Sequence, residues 1–370
     1  MQRSDRSWVR RKARRLVVAA VIVAVYAVVL SQQDFSNHSA ASKPTTVYPS
    51  NGFGGYGWDG SLMEIAAQWR VPAIAANSVG DASTWVGADD QSYDHFIQLG
   101  VTEDSYSPGA PIYEAFWSSG AVGYSPKSLG AVRSGDRVAV EMTKNPNGWL
   151  LTFVDRTSGL RVQREIHYGA AIRYRHGSWT QEDPSSGDIA ATDLPYPQMA
   201  APTFDHLEVN GAAPLLRLKL ASVLLTSGGT ILVPTTPVHN SFTLSAPTGL
   251  KRQYLIDEMW LDAHDAVFDA QYATWDHTGV KRRVDDVRRL ARSDNNFANA
   301  LSHQRWPSAV TRVVDQLVKS KRRESMILKK WAQSGADGSS NLLQRANDQR
   351  DRSFGFENTI RASLALPPTS

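Results

Sequence analysis

The sequence predicts a mainly β protein of the sandwich or barrel kind, followed by a small α-helical domain and preceded by an apolar N-terminal helix. Three observations carry this prediction. Short β-prone runs are punctuated by Gly, Pro, Asn and Ser up to about residue 247. From about residue 250 the apolar residues recur at helical spacing. A basic run followed by an uninterrupted apolar stretch opens the chain.

The N-terminal segment, residues 1–33, predicts a signal peptide or an uncleaved signal anchor. Seven Arg or Lys lie within residues 3–15, and Leu16–Leu30 contains fifteen apolar residues without a break. A membrane span needs about 20 residues, so cleavage and anchoring both stay open. In either case the basic end stays inside and the rest is extracytoplasmic, anchored to the cell membrane or secreted. Residues 34–47, rich in small and polar residues, predict a flexible tether.

Residues 48–247 predict the β-domain. Arg137–Met142 alternates strictly between polar and apolar residues, which is typical of a half-buried strand. Asp155–Gly159 separates two apolar runs as a hairpin turn does. The predicted strands are Glu64–Val71, Ser83–Gly87, Phe96–Val101, Ile112–Trp117, Arg137–Met142, Trp149–Val154, Leu160–Ile166, Leu215–Leu220, Ile231–Val233 and Ser241–Leu244.

Residues 250–370 predict an α-helical domain. Val310, Val313, Val314, Leu317 and Val318 fall on one helical face, with Pro307 at a position where a helix start tolerates proline. The predicted helices are Tyr254–Tyr272, Val280–Arg292, Ser308–Trp331, Ser339–Asp351 and Phe356–Leu364. The acidic residues between Asp257 and Asp269 are interpreted as a solvated helix face, not as a metal site. The domain is a candidate for binding the cell envelope or a protein partner.

Composition and motifs exclude several classes of function. The chain has no Cys, which excludes disulfides and thiol catalysis. Its net charge of +4 comes from the N-terminal run, so the sequence offers no case for nucleic-acid binding. There is no nucleophile elbow, phosphate loop, HExxH or dinucleotide fingerprint. We therefore expect neither a metal nor a cofactor.

Several short motifs of the β-domain follow one another in order. They are Ser83-Thr-Trp85-Val-Gly87-Ala-Asp89, Phe96-Ile-Gln98-Leu-Gly100, Tyr113-Glu114, Gly135-Asp136, Thr157-Ser158-Gly159 and Trp179-Thr-Gln-Glu182-Asp183. This order and spacing resemble the glutamic peptidase (eqolisin) family, as a bacterial-type member with an extra C-terminal helical domain. The resemblance covers about residues 50–247. The usual Leu-Gln-Thr becomes Ile97-Gln98-Leu99, which bears on substrate preference and leaves room for an inactive relative.

The resemblance implies a fold, a site and an activity. The fold is a concanavalin-like, two-sheet antiparallel β-sandwich with a groove across one sheet. Gln98 and Glu182 match the catalytic pair, and the residues that line or support the cleft are Trp85, Asp89, Glu114 and Trp179. The implied activity is exported, acid-acting endopeptidase cleavage of a polypeptide substrate, without metal or cofactor.

These residue types suit peptide hydrolysis. A carboxylate can take a proton from the attacking water and return it to the leaving amine, and an amide N–H can stabilise the oxyanion. The ordinary pKa of Glu, about 4.3, favours action at acid pH. Two alternatives stay open. The first is a non-catalytic glycan- or peptide-binding sandwich of the cell envelope with a groove formed by Trp85, Trp117 and Trp179. The second is a structural envelope protein in which the helical domain is the active part.

Overall fold

A computed structural model describes residues 52–90, 95–169, 171–184, 194–214, 218–226, 230–273, 275, 279–334 and 340–366. They form two compact units that divide between Pro247 and Thr248, a β-unit and a helical unit. The predicted signal segment and tether lie outside the described residues. No helix in the described part of the chain is both long and apolar enough to span a membrane.

The β-unit is built from short strands that pair antiparallel. In chain order they are β1 (Phe53–Asp59), β2 (Glu64–Arg70), β3 (Gly80–Asp89), β4 (Ile97–Ser105), β5 (Pro111–Ser119), β6 (Lys127–Ala131), β7 (Arg137–Asn145), β8 (Gly148–Asp155), β9 (Arg161–Ile166), β10 (His176–Glu182), β11 (Thr203–Val209), β12 (Leu218–Ser222), β13 (Leu224–Leu225), β14 (Ile231–Pro234) and β15 (Phe242–Ser245).

Two sheets result. The seven-stranded sheet has the order β12-β1-β10-β3-β4-β5-β6, and the eight-stranded sheet has the order β13-β14-β15-β11-β2-β7-β8-β9. One apolar core takes residues from both sheets and includes the fully buried Trp69, Trp149 and Trp179. Burying a large apolar side chain stabilises a fold by about 1.5–3 kcal/mol, so this shared core holds the two layers together. The predicted fold class of two antiparallel sheets followed by helices is confirmed.

Strand β1, FGGYGWD, is missing from the sequence prediction because its glycines are typical of a turn. In the structure it pairs with β10, and Gly55 lies opposite Thr180. A Cβ on Gly55 would lie 1.9 Å from the carbonyl oxygen of Trp179. This glycine therefore permits a close approach of the neighbouring backbone within a sheet.

The helical unit contains four long helices in its described part: α1 (Gly249–Ala273), α2 (Val280–His303), α3 (Ser308–Gln333) and α4 (Ser340–Ser363). Consecutive helices pack against each other. Four residues of the predicted apolar face of α3 are buried, with Val310, Val314, Leu317 and Val318 each at most 6% exposed. The fifth, Val313, is half-buried at the edge of that face.

Helix α1 corrects one prediction. Glu258, expected on a solvated acidic face, is 3% exposed. It is hydrogen-bonded by Tyr254 and paired with Arg361 of α4. Burial of a carboxylate costs free energy unless a partner compensates it, and Arg361 supplies that partner. No group of three potential metal ligands is present within the described ranges.

Helix α4 corrects a second prediction. The predicted helices Ser339–Asp351 and Phe356–Leu364 are one continuous helix in the structure. Gly355 lies inside it and does not end it. Packing of α4 against α3, which includes a 2.8 Å hydrogen bond between Ser353 Oγ and Ser320 Oγ, outweighs the low helix propensity of glycine.

Gly355→Ala should therefore stabilise the helical unit. A Cβ at this position would meet nothing within 4 Å. Alanine in a helix interior is favoured over glycine by about 0.5–1 kcal/mol. Chemical denaturation of the full-length protein measures the gain. Gly279→Ala is the matched control, since Gly279 precedes α2 as its N-cap, where alanine gives no such gain. Equal stabilities of Gly355→Ala and the parent would contradict the account.

Candidate active site

The strand register brings the predicted pair to one face of the seven-stranded sheet. Glu182 of β10 lies opposite Ser83 of β3, and Ser83 lies opposite Thr102 of β4. Directly opposed residues point to the same side of a sheet, and side chains alternate along each strand. Gln98, four residues from Thr102, therefore shares a face with Glu182. This face, here called the outer face, points away from the apolar core.

The carboxylate of Glu182 is fixed through one of its two oxygens. Oε2 accepts hydrogen bonds from the Trp85 indole, at 2.7 Å, and from the Ser83 hydroxyl, at 3.1 Å. Oε1 makes no hydrogen bond to any described residue. Two donors on one oxygen orient the carboxyl group and leave the other oxygen available for proton transfer.

The environment of Glu182 also changes its acidity. Burial raises the pKa of Glu182 to about 7, and the hydrogen bonds from Trp85 and Ser83 oppose that shift. Negative charge on Asp183 and Asp81 raises it further. A carboxyl group with this pKa changes protonation state near neutrality, as an acid–base catalyst must.

Trp85 is packed between aromatic side chains. Its ring meets Phe53 edge-on at a centroid distance of 6.3 Å and Phe96 at 5.6 Å. The six-membered ring of the Trp85 indole lies over Gly87, and a Cβ at position 87 would be 2.8 Å from Trp85 Cζ3. Gly87 is the residue opposite Gln98. The indole thus extends along the outer face from Glu182 towards the level of Gln98, and glycine at position 87 makes room for it.

Gln98 lies in β4, between Gly87 of β3 and Ser118 of β5. It is 8% exposed. Its side-chain amide makes no hydrogen bond to another residue in the described part of the chain. An amide without a partner can donate its N–H groups to a ligand. The Gln98 N–H groups are therefore available as donors on the face that carries Glu182.

Asp89 and Glu114 also lie on the outer face. Asp89 is 2% exposed at the end of β3, opposite His176. Glu114 of β5 lies opposite Thr102, and its carboxylate accepts a hydrogen bond from Ser128 of β6. Neither is among the groups that hydrogen-bond to Glu182. Asp89 lies two residues beyond Gly87, the residue opposite Gln98, and Glu114 lies at the level of Thr102 and Ser83.

The prediction that Trp179 lines the cleft is wrong. Its side chain is 0% exposed, and its indole N–H donates to the carbonyl oxygen of Ala66 in β2, at 3.0 Å. Glu182 and Trp179 are three residues apart on a strand, so they point to opposite faces. Trp117 likewise belongs to the core cluster. Two of the three tryptophans of the expected aromatic groove therefore fill the core.

Sequence reasoning missed the role of Ser83 as a donor to Glu182 and the ring contacts of Phe53 and Phe96. The signal for Ser83 was present, because it lies two residues before Trp85 and therefore on the same face of a strand. Phe53 belongs to β1, which was not predicted, so its place beside Trp85 had no sequence signal.

Comparison with known proteins decides the family. Residues 51–217 match the model described as the Peptidase A4 family. The β-unit is a Peptidase A4 domain. By family it is a glutamic endopeptidase, a hydrolase of the eqolisin type, as the order of motifs predicted. No curated protein matches this chain.

Solved structures resemble this peptidase domain. One is scytalidoglutamic peptidase with a transition-state analogue inhibitor, at 18% identity, covering 55% of this chain and 100% of that chain, with a TM-score of 0.44. Another is SCP-B, a member of the eqolisin family in complex with the tripeptide Ala-Ile-His, at 17% identity, with the same coverage and a TM-score of 0.43.

Proposed function

We propose that the peptidase domain cleaves internal peptide bonds of a polypeptide with Glu182 as the proton-transfer group and Gln98 as the oxyanion donor. The observation that supports this most directly is the arrangement of Glu182. Its Oε2 is held by Trp85 and Ser83, and its Oε1 is left without a partner among the described residues. Gln98 lies on the same face with an uncommitted amide.

In this proposal, ionised Glu182 takes a proton from water through Oε1 as the water oxygen attacks the scissile carbonyl carbon. The electron pair of the C=O bond moves to oxygen, and an N–H of Gln98 donates to that oxyanion. Protonated Glu182 then gives the proton to the departing amine as the C–N bond breaks. The carboxylate is regenerated, and one water is consumed per bond cleaved.

The pKa of Glu182 sets the expected pH range. Acid action was expected from the ordinary pKa of a carboxyl group, whereas burial raises the pKa of Glu182 to about 7. A general base must be ionised in the free enzyme, so we expect kcat/KM to rise by about tenfold per pH unit in acid until the pH approaches neutrality. Acid activity should therefore be the lower part of a curve that continues upward to about pH 7.

Trp85→Phe tests this assignment. The variant keeps an aromatic ring but loses the N–H that donates to Glu182. That hydrogen bond lowers the pKa of Glu182, so its loss should move the rising limb of kcat/KM to higher pH, by about half a unit or more. The measurement is hydrolysis of a quenched-fluorescent peptide by full-length protein from about pH 3 to 9.

Trp260→Phe, at a partly exposed position of the helical unit, is the matched control and should leave the profile unchanged. If the parent showed a plateau at acid pH that falls above neutrality, protonated Glu182 would begin the reaction and the base-first order would be wrong. If Trp85→Phe, like the control, left cleavage unchanged at every pH, Trp85 would not belong to the site.

We further propose that the peptidase domain acts outside the cytoplasm, delivered by residues 1–33 and tethered by residues 34–47. The basic run followed by Leu16–Leu30 supports this. Fractionation of cells that express the full chain tests it, with three arginines of residues 10–15 changed to glutamate as the comparison. Parent protein found only in the cytoplasmic fraction would contradict the proposal.

A further inference from the structure

A buried polar cluster lies on the core face of the seven-stranded sheet, directly behind the catalytic residues. Thr84 of β3, Glu103 of β4 and Gln181 of β10 are each 0% exposed. Tyr196, from the segment between β10 and β11, is 9% exposed. The catalytic chemistry described above uses none of these side chains.

The hydrogen bonds of Thr84 determine where the protons of the cluster are. Thr84 Oγ1 lies 2.7 Å from Glu103 Oε1 and 2.7 Å from Gln181 Oε1. A hydroxyl group has one hydrogen and can donate to only one of these oxygens. The other oxygen–oxygen contact needs a second hydrogen, and the carboxyl group of Glu103 is the group that can carry it. Glu103 then donates to Thr84, and Thr84 donates to Gln181.

Rotating the Gln181 amide by 180° would supply the second hydrogen from its nitrogen instead. Glu103 would then be a fully buried carboxylate with one donor, Thr84. No described cation forms an ion pair with Glu103, and burial of an uncompensated carboxylate is costly. The other groups of its surroundings are Tyr113 of β5, Tyr196 and the acid Asp104, and Tyr196 in turn lies near Asp183. None of them brings positive charge, so the arrangement with a neutral Glu103 is favoured.

The cluster is joined to the catalytic residues through the backbone. Thr84 immediately precedes Trp85, which donates to Glu182, and Gln181 immediately precedes Glu182 itself. Thr84 and Gln181 are directly opposite each other in the register of β3 and β10. A chain of hydrogen bonds from Glu103 through Thr84 to Gln181 therefore connects β4, β3 and β10 on the sheet face opposite to Trp85 and Glu182.

We propose that Glu103 is a positioning residue of the peptidase domain that acts in its protonated form, holding Trp85 and Glu182 in place through Thr84 and Gln181. This inference rests on the proposed role of Glu182. In this proposal Glu103 does not contact the substrate. The catalytic arrangement is complete only while Glu103 keeps its proton.

The pKa of Glu103 agrees with this assignment. Burial raises it from 4.5 to about 8, against the lowering effect of the Thr84 hydrogen bond. Because the folded pKa is above the unfolded one, the folded state holds an extra proton between these values. The stabilisation is complete below the unfolded pKa and is lost as pH rises through the folded pKa. Glu182 and Asp104, whose pKa values are also raised, contribute in the same direction.

Glu103→Gln isolates this contribution, because glutamine stays neutral and its amide can donate to Thr84. In guanidinium denaturation of the full-length protein, the folding constant of the variant relative to the parent should grow by up to about tenfold per pH unit between about pH 5 and 8. Glu165→Gln, an exposed position of β9, is the matched control with no such trend. A constant ratio for Glu103→Gln would show that Glu103 does not hold the extra proton.

Thr84→Val tests the positioning role, with Thr84→Ser as the variant that keeps the hydroxyl. In protein labelled with 13C-glutamate, the Glu182 carboxyl resonance is identified by its absence in Glu182→Gln. Its titration midpoint should rise by about half a pH unit in Thr84→Val and stay near the parent value in Thr84→Ser and Glu103→Gln. In the peptide assay, Thr84→Val should lower kcat by about tenfold with KM little changed.

A Glu182 midpoint and kcat at parent values in a folded Thr84→Val would overturn the positioning role and leave Glu103 as a core residue only. Absence of peptidase activity in the parent would instead contradict the proposed function. In that case the denaturation and titration results would still decide on Glu103, so the two failures are distinguishable.

Discussion

Replacing Glu182 with glutamine should lower kcat/KM by about three orders of magnitude, within the range of about 10²–10⁴ that general acid–base catalysis contributes. Glutamine has nearly the same shape, and its amide oxygen can accept the hydrogen bonds that Trp85 and Ser83 make to Oε2. What it cannot do is take a proton from water. The loss should therefore appear in kcat, with KM little changed.

The matched control is Glu165→Gln, which makes the same chemical change at an exposed position of the eight-stranded sheet. It should keep parent activity. Thermal melts of both variants establish that the fold is retained. Glu182→Gln activity within a factor of about three of the parent would mean that another group transfers the proton.

Replacing Gln98 with leucine should lower kcat by about 10²–10³, the usual effect of removing one oxyanion donor. Leucine approximates the volume of the side chain and cannot donate to an oxyanion. Stability should stay equal or increase, since leucine loses no hydrogen bond that the Gln98 amide makes to a described residue and the residue is only 8% exposed. Lower activity together with unchanged or higher stability identifies a group kept for chemistry.

Gln163→Leu, on the exposed face of β9, provides the control for the change of residue type. It should leave kcat at the parent value. A Gln98→Leu variant that is as active as the parent would assign the oxyanion contact elsewhere. A variant that is both inactive and unstable would show that Gln98 supports the fold, contrary to the proposal.

How far the sequence predicted this site depended on whether each strand could be recognised. The alternation in β7 and the apolar runs of β4 and β5 were visible, so Gln98 and Glu114 could be placed on strands. Strand β10 was not predicted as a strand, because glycine and polar residues surround Trp179. Without it, alternation could not be counted from Glu182, and Trp179 was assigned to the cleft although it faces the core.

Other features depend on contacts between distant residues and had no local signal. The pKa of Glu182 is raised by burial among neighbouring strands, which the ordinary pKa of a glutamate does not include. The pairing of Glu258 with Arg361 joins residues 103 apart in sequence. By contrast, the burial of Glu103 follows from alternation along β4, in which Leu99, Val101 and Glu103 share the core face.

The most direct test of the central claim is the appearance of new amino termini when a denatured protein is incubated with the purified full-length chain, beside Glu182→Gln, from about pH 3 to 8. Each reaction is repeated with a chelator and with serine and cysteine reagents. The account predicts internal cleavage by the parent that none of these reagents reduces and that Glu182→Gln lacks. Cleavage abolished by the chelator, or equal in parent and variant, would contradict it.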